Sequence, residues 1–464
     1  MRTAIQDFTK RHFHAGRGGR AKLAMSTSLI ARVVGVVVSL VNVPVAVHYL
    51  GNEGYGLLTV IVSVVGWIQF SNLGLGLGLQ NTLTEQTALG NKQAQRELVS
   101  TTFFAMVGIG LLLALLTLVL FPHVNWLSLF PARSARFAVE IPRAVALALT
   151  CFILSLTWGF IQPIYAARQE LHLFYLQGLL ANMASLAALC VAVKLDTGLL
   201  GVAVANIGVN AVFAAGFALW TVFGRGIPEI HPSWRFVRRS AAGIVLRTGL
   251  GFLVLQICVI GISQCDAFLI AQFLSADRVT PYSVGQRVFA QVVGLVGVLI
   301  TPLWPAFGHA KALGDAHWIR RIYWRINGYF LALYLGVFLL MAFFGHYLLG
   351  LWVGASSAPP TLLICAIGAN YLIMQWTNNH SIFLNGLGIV RKQVPIFLAQ
   401  SCLALSLNIF FIRKFGPIGL CLGGGLSYLL VSGWLLPLAF HQGLARIKAP
   451  SKAEQGPQLT PAAT

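Results

Sequence analysis

Charge is scarce in this chain. Of its 464 residues only 9% are Asp, Glu, Lys or Arg and 57% are hydrophobic, whereas ordinary soluble domains are about 25% charged. Too few charged groups remain to coat a water-facing surface, which excludes a soluble globular protein. Acids are scarcer still: 12 stand against 32 Lys and Arg, for a formal net charge of +20. In a soluble protein that balance would point to nucleic acid. Here the basic residues fall in short connections between apolar runs, so no nucleic-acid partner is expected. The seven cysteines (Cys151, Cys190, Cys258, Cys265, Cys365, Cys402 and Cys421) lie inside or at the edge of apolar runs without paired metal-ligand spacing. They are expected to be packing residues, with neither a metal site nor disulfides. No spacing resembles a hydrolase elbow, a zinc site or a P-loop, so neither an enzyme nor a cofactor is expected.

Glycine invites one further exclusion. In "SNLGLGLGLQN" (residues 71–81) Gly74, Gly76 and Gly78 mimic the start of a dinucleotide fingerprint. The third glycine comes too early, and the apolar run before it is too long for a strand. These glycines are expected to allow close helix approach and to serve as a hinge at the end of a membrane span.

Long apolar runs are what the chain has in plenty. About twenty apolar residues cross a bilayer core, and twelve spans are predicted: 24–48, 55–78, 99–121, 143–166, 173–194, 198–223, 243–272, 280–305, 327–349, 361–385, 394–412 and 418–440. With the N-terminus inside, the inner segments hold 22 Lys and Arg and the outer ones 7. This positive-inside bias predicts that both termini are cytoplasmic. The third-to-fourth connection is the exception, with three Arg outside, and Trp126, Leu127, Leu129 and Phe130 in it predict a short interfacial segment. Residues 1–23 read as a basic cytoplasmic N-terminus and not as a cleavable signal; 24–223 form a first lobe, 224–242 a basic linker, 243–440 a second lobe, and 441–464 a cytoplasmic disordered tail.

The two lobes echo each other. "YLGNEGYG" from Tyr49 matches "FLSADRVTPYS" from Phe273, and "TALGNKQAQREL" from Thr87 matches "KALGDAHWIRRI" from Lys311, both at an offset of 224; "GLLGVAVAN" from Gly198 matches "GPIGLCLGG" from Gly416 at 218. Ordered matches at nearly one offset predict a duplication of six helices. An even number of spans per half makes the halves parallel repeats, related by a pseudo-two-fold along the membrane normal. The fold class expected is therefore an all-α polytopic membrane protein of twelve helices in two six-helix lobes.

Four ionisable residues fall well within spans: Arg32, Arg247, Asp266 and Arg287. A charge at the bilayer centre costs roughly 3 kcal/mol on insertion scales, so it usually faces protein or a water-filled cavity. The functional reading is a cationic cavity in which Arg32, Arg247 and Arg287 bind substrate. Against it, Arg247 lies near the end of its span and could snorkel to the headgroups, and Asp266 and Arg287 flank an outer turn and could pair. Guanidinium forks suit phosphate or carboxylate, which predicts an anionic substrate such as a phosphate-bearing lipid carrier. The tenth span, "NYLIMQWTNNHSIFLNG", is the most polar. Helix–helix hydrogen bonding is one reading of it; the other is a sugar path lined by Asn370, Gln375, Asn378 and Asn379. Asp266 and His380 are the candidates for charge balance or ion coupling.

The segments "HYLGNEGYGLLTVIVSVVGWIQFSNLGLGLGLQN", "SQCDAFLIAQFLSADRVTPYSVGQRVFAQVVGLVGVLITPLWPAFGHAKALGD" and "FGPIGLCLGGGLSYLL" resemble the polysaccharide transporter family, the Wzx-like lipid-linked oligosaccharide flippases. These belong to the multidrug/oligosaccharidyl-lipid/polysaccharide exporter superfamily. The resemblance runs over roughly residues 20–445. It implies a two-lobed, V-shaped transporter in the bacterial inner membrane that moves an undecaprenyl-pyrophosphate-linked oligosaccharide from the cytoplasmic to the periplasmic leaflet by alternating access, with proton or sodium coupling. Surface polysaccharide synthesis, of O-antigen, capsule or exopolysaccharide, is the implied pathway, and a polymerase and a chain-length regulator are the implied partners beside membrane lipids. The family often has an acid where this chain has Asn72, which puts a coupling role there in question. The alternatives are a multidrug or metabolite exporter of the same superfamily and a membrane-embedded polymerase or glycosyltransferase.

Overall fold

In a computed structural model, residues 17–69, 74–131, 135–259, 264–300, 307, 310–311, 314–389 and 392–445 are described. Asn72 and the tail from 446 lie outside the described residues. Helices and tight turns account for the described backbone. The first helix, α1 (Arg17–Gln69), has 53 residues and would be about 80 Å long at 1.5 Å per residue, far more than a bilayer core. Gly51, at φ 70°, breaks it into two crossings. Then follow α2 (Leu75–Ala88), α3 (Lys92–Leu120), the single-turn α4 (Trp126–Leu129), α5 (Ala135–Thr157), α6 (Ile161–Ala167), α7 (Leu171–Lys194) and α8 (Gly198–Gly224). After short 3-10 turns at Pro228–Ile230 and Trp234–Phe236 come α9 (Arg239–Val259), α10 (Asp266–Phe273) and α11 (Ala276–Ile300). The rest is α12 (Ala316–Val353), α13 (Thr361–Gly386), α14 (Gln393–Phe415) and α15 (Pro417–Ala445).

Among the described residues, eight helices are long and apolar enough to cross a membrane. One of the eight, Val33–Val64, runs across the Gly51 break and takes in part of both crossings of α1; α13 has the length, but its amides dilute its apolarity. The outward faces are apolar: Leu118 is 76% exposed, Phe343 78% and Trp434 74%. Such rows belong against lipid, since water would penalise them.

By packing, the chain forms two units: Met1–Gly285 with Tyr347–Pro359, and Gln286–His346 with Pro360–Thr464. The core of the first gathers Leu79, Val99, Met106, Phe160, Ile164, Tyr165, Ala218 and Val245. Helices within a bilayer gain little from burying more hydrocarbon, so close backbone approach has to hold them. A Cβ on Gly78 would stand 2.3 Å from the Val245 carbonyl oxygen, and one on Gly56 would stand 1.9 Å from that of Ala276. Only glycine lets α2 meet α9, and α1 meet α11, at that separation. In α8 a π turn at Val204–Gly208 disturbs the helical ladder, and Ser185 of α7 donates to the Ala205 carbonyl there at 2.8 Å.

Residues 347–359 belong to the first unit through side-chain ties. The Trp352 indole donates to the Leu40 carbonyl (2.6 Å), Asn52 to the Ser356 carbonyl (3.0 Å), and the Ser357 hydroxyl to Asn52 Oδ1 (2.5 Å). Thr280 completes the knot by donating to the Asn52 carbonyl at 2.6 Å. In the second unit Phe307, Tyr323, Phe383, Leu436 and Phe440 form the core. There α14 and α15 touch through Gly419 and Gly423, spaced four apart; a Cβ at Gly419 would lie 2.2 Å from the Phe411 carbonyl oxygen.

Candidate functional site

The residues singled out within the membrane occupy different surroundings. Arg32 lies in the first crossing of α1, with its side chain outside the described set. Arg247, two residues beyond the Val245 contact on α9, is exposed, and Arg287 on α11 is half-buried in the second unit. Asp266 opens α10 and is 7% exposed; its Oδ2 accepts a hydrogen bond from the Tyr282 hydroxyl at 2.7 Å. Gly74 caps α2 in the left-handed region at φ 66°, and Gly76 and Gly78 are buried.

The polar residues of the tenth span come together inside the second unit. Gln375 donates to Asn379 Oδ1 (2.6 Å), Asn379 donates to Asn327 Oδ1 (3.2 Å), and Asn327 donates to the Tyr323 carbonyl (3.1 Å). The Tyr323 hydroxyl meets His380 Nε2 at 2.5 Å, while His380 Nδ1 meets the Trp376 carbonyl at 2.6 Å. A carbonyl only accepts, so Nδ1 carries a proton, and Nε2 shares the second hydrogen bond with the Tyr323 hydroxyl. All five side chains are nearly or wholly buried, with His380 at 0% and Asn379 at 3% exposure. A cavity of about 10 Å³ adjoins the chain, room for one water. Gln375 Oε1 and the Tyr334 hydroxyl, both on residues lining that cavity, have no hydrogen-bond partner among the described residues. Asn370 and Asn378 of the same helix are half-buried.

Tyr323 and Asn327 were not among the residues singled out from sequence. Their one signal is spacing: four apart at the start of an apolar run, they share a helical face. Also missed was the ion pair that joins the start of α7 to the end of α8. Arg225 meets Glu170 at 2.6 Å, with side-chain exposures of 16% and 9%. Burial would pull the Arg225 pKa down, but the hydrogen bond and charge of Glu170 outweigh it and hold the group above its ordinary value. The guanidinium also lies 5.4 Å from the Tyr165 ring centroid.

No family model matches the chain. A protein of Yersinia pseudotuberculosis named for O-antigen export is 23% identical over 431 residues, covering 90% of this chain and 95% of that one. An O-antigen transporter of Salmonella typhi is 21% identical over 442 residues, with 91% and 96% covered. Among solved structures, the inward-facing conformation of a multidrug resistance MATE family transporter of the MOP superfamily matches with a TM-score of 0.73 at 15% identity, covering 90% of this chain and 98% of that one. Neighbours of this fold have 12 transmembrane helices in two lobes, and the all-α, multi-pass architecture read from hydropathy is the one found.

Proposed function

We propose that this chain, a multi-pass membrane transporter and not an enzyme, is a flippase that moves an undecaprenyl-pyrophosphate-linked oligosaccharide from the cytoplasmic to the periplasmic leaflet of the inner membrane, for surface polysaccharide synthesis. The end-to-end similarity to two proteins named for O-antigen export and transport carries this reading, and it extends the resemblance seen in "HYLGNEGYG…" and its companion segments. Residue chemistry supports it. The intramembrane set holds Arg32, Arg247 and Arg287 against Asp266, and three guanidinium forks suit a pyrophosphate. In this reading the half-buried Asn370 and Asn378 meet sugar hydroxyls, and Gln375 and Asn379 stiffen the wall behind them. Alternating access is the mode of movement, with both termini cytoplasmic. Proton coupling would act through Asp266 or His380, since protonating His380 Nε2 removes the acceptor of the Tyr323 bond.

Replacing Arg32 or Arg287 with Ala is expected to abolish surface polysaccharide while the protein still inserts into the membrane. Polymer measured at the wild-type level in both variants would sink the cavity assignment. Accumulation of a lipid-linked glycan on the cytoplasmic face after gene deletion identifies the cargo. Drug resistance conferred by expression, with no such accumulation, would favour the exporter alternative.

A further inference from the structure

The first unit contains a cavity of about 380 Å³ whose walls include Arg96, Phe223, Gly226, His231, Ser233 and Phe236. This is the size of a small-ligand site. It lies where α3 begins and α8 ends, both candidate spanning helices, so it sits at the level of the lipid headgroups.

Arg96 is held in place without being used up. Its Nε donates to the Pro228 carbonyl at 3.2 Å, and its guanidinium lies 5.4 Å from the Phe236 ring centroid. Both Nη groups remain without a hydrogen bond among the described residues. The carboxylates nearby are engaged elsewhere: Glu229 pairs with Lys92 at 3.3 Å and Glu97 with Arg238 at 3.8 Å. The His231 ring touches Phe223 edge-on at 5.4 Å, and neither ring nitrogen makes a hydrogen bond among the described residues. Gly226 holds φ +61°, and a Cβ there would meet nothing within 4 Å; the turn leaves bare backbone at the cavity.

The surroundings are apolar and open. Phe223 is 65% exposed, Trp220 48% and Trp234 70%, and Trp234 packs edge-on against Phe104 of the spanning helix α3 at 4.8 Å. Exposed aromatic rings beside a spanning helix mark the membrane interface. We propose that this cavity binds the phosphate headgroup of an anionic phospholipid of the surrounding bilayer, with Arg96 as anchor, His231 and Ser233 as further donors, and the acyl chains lying along Phe223, Trp220 and Trp234. One arginine fork suits the single charge of a phosphodiester.

The duplication supplies an internal control. Arg320 stands 224 residues after Arg96, at the matching start of α12, and is exposed. Full-length protein in detergent is titrated with phosphatidylglycerol, and retained lipid is counted by native mass spectrometry. The wild type is expected to retain one lipid, Arg96→Gln to retain it about tenfold more weakly, a loss of about 1.4 kcal/mol, and Arg320→Gln to match the wild type. Equal losses in both variants, or no loss in Arg96→Gln, overturn the site. Inorganic phosphate retained in preference to phosphatidylglycerol when both are offered at equal concentration overturns the assignment to a lipid. Because Arg96 also ties down Pro228, thermal unfolding without lipid is measured for each variant. Should Arg96→Gln unfold, His231→Leu combined with Ser233→Ala, which spares that tie and removes both further donors, decides: lipid held as tightly as by the wild type refutes the site, and weaker retention supports it.

Discussion

The two packing units differ in where their largest polar clusters stand, although the first also holds neutral pairs such as Asn42 with Asn206 at 2.9 Å and Tyr165 with Thr221 at 2.8 Å. In the first, charges meet at helix ends: Arg225 with Glu170, Lys92 with Glu229, Arg136 with Glu140 and Asp196. In the second, a neutral chain from Gln375 to His380 runs through the interior. The difference follows from depth. At a helix end, water and headgroups still solvate an ion pair, so charge costs little. Deep between helices a charge is expensive and an amide is not, provided each donor finds an acceptor. Ion pairs therefore fasten the rim of the first unit, and amides fix the register of helices in the second.

The sharpest way to break this contrast is in the second unit. His380→Ala removes a fully buried ring, strands the Tyr323 hydroxyl and opens a cavity; the expected loss is about 3 kcal/mol. His380→Phe fills most of the space but still strands that hydroxyl, and about 1.5 kcal/mol is expected. Unfolding in mixed detergent micelles measures both. If His380→Phe proves as stable as the wild type, the network contributes packing alone. In the first unit, Glu170→Gln leaves Arg225 largely buried beside a neutral partner. Both side chains are mostly shielded, so a loss of about 2 kcal/mol is expected, read by the same unfolding measurement. Glu170→Gln falling within error of the wild type would mean that solvent already compensates Arg225.

Legibility differed between these features for physical reasons. The spans were legible because hydrocarbon demands long apolar runs whatever the fold, and Gly78 because close helix approach needs a glycine where α2 meets the Val245 carbonyl. Which face of a helix an arginine presents depends on neighbours, so the type of Arg32, Arg247 and Arg287 could be read but their surroundings could not. Tyr323 and His380 are 57 residues apart and Asn52 and Ser357 are 305 apart. Single-chain periodicity carries no information about such pairings. The charged linker read as a basic connector, but the cavity over Arg96 depends on how Pro228 and Phe236 fold back onto α3.

Where the halves agree, the agreement reaches the backbone. Gly90 and Gly314, matched at the offset of 224, both take the left-handed conformation, at φ 69° and 71°. Asn91 donates its backbone N–H to the Gln86 carbonyl at 3.1 Å, and Asp315 donates to that of Ala310 at 3.0 Å, again 224 residues on. Each then caps the next helix: Asn91 Oδ1 accepts from the Ala94 N–H at 3.1 Å, and Asp315 Oδ1 from the Trp318 N–H at 2.9 Å. Such caps contribute about 1 kcal/mol, the smallest of these effects. Asn91→Ala and Asp315→Ala are therefore expected to destabilise by about the same amount, with Asp315→Ala a few tenths of a kcal/mol worse because a carboxylate also favours the helix dipole. Added salt should erase that excess and leave the shared part. A loss at one connector only would mean that the duplicated turn keeps its shape in both halves but its energetic role in one.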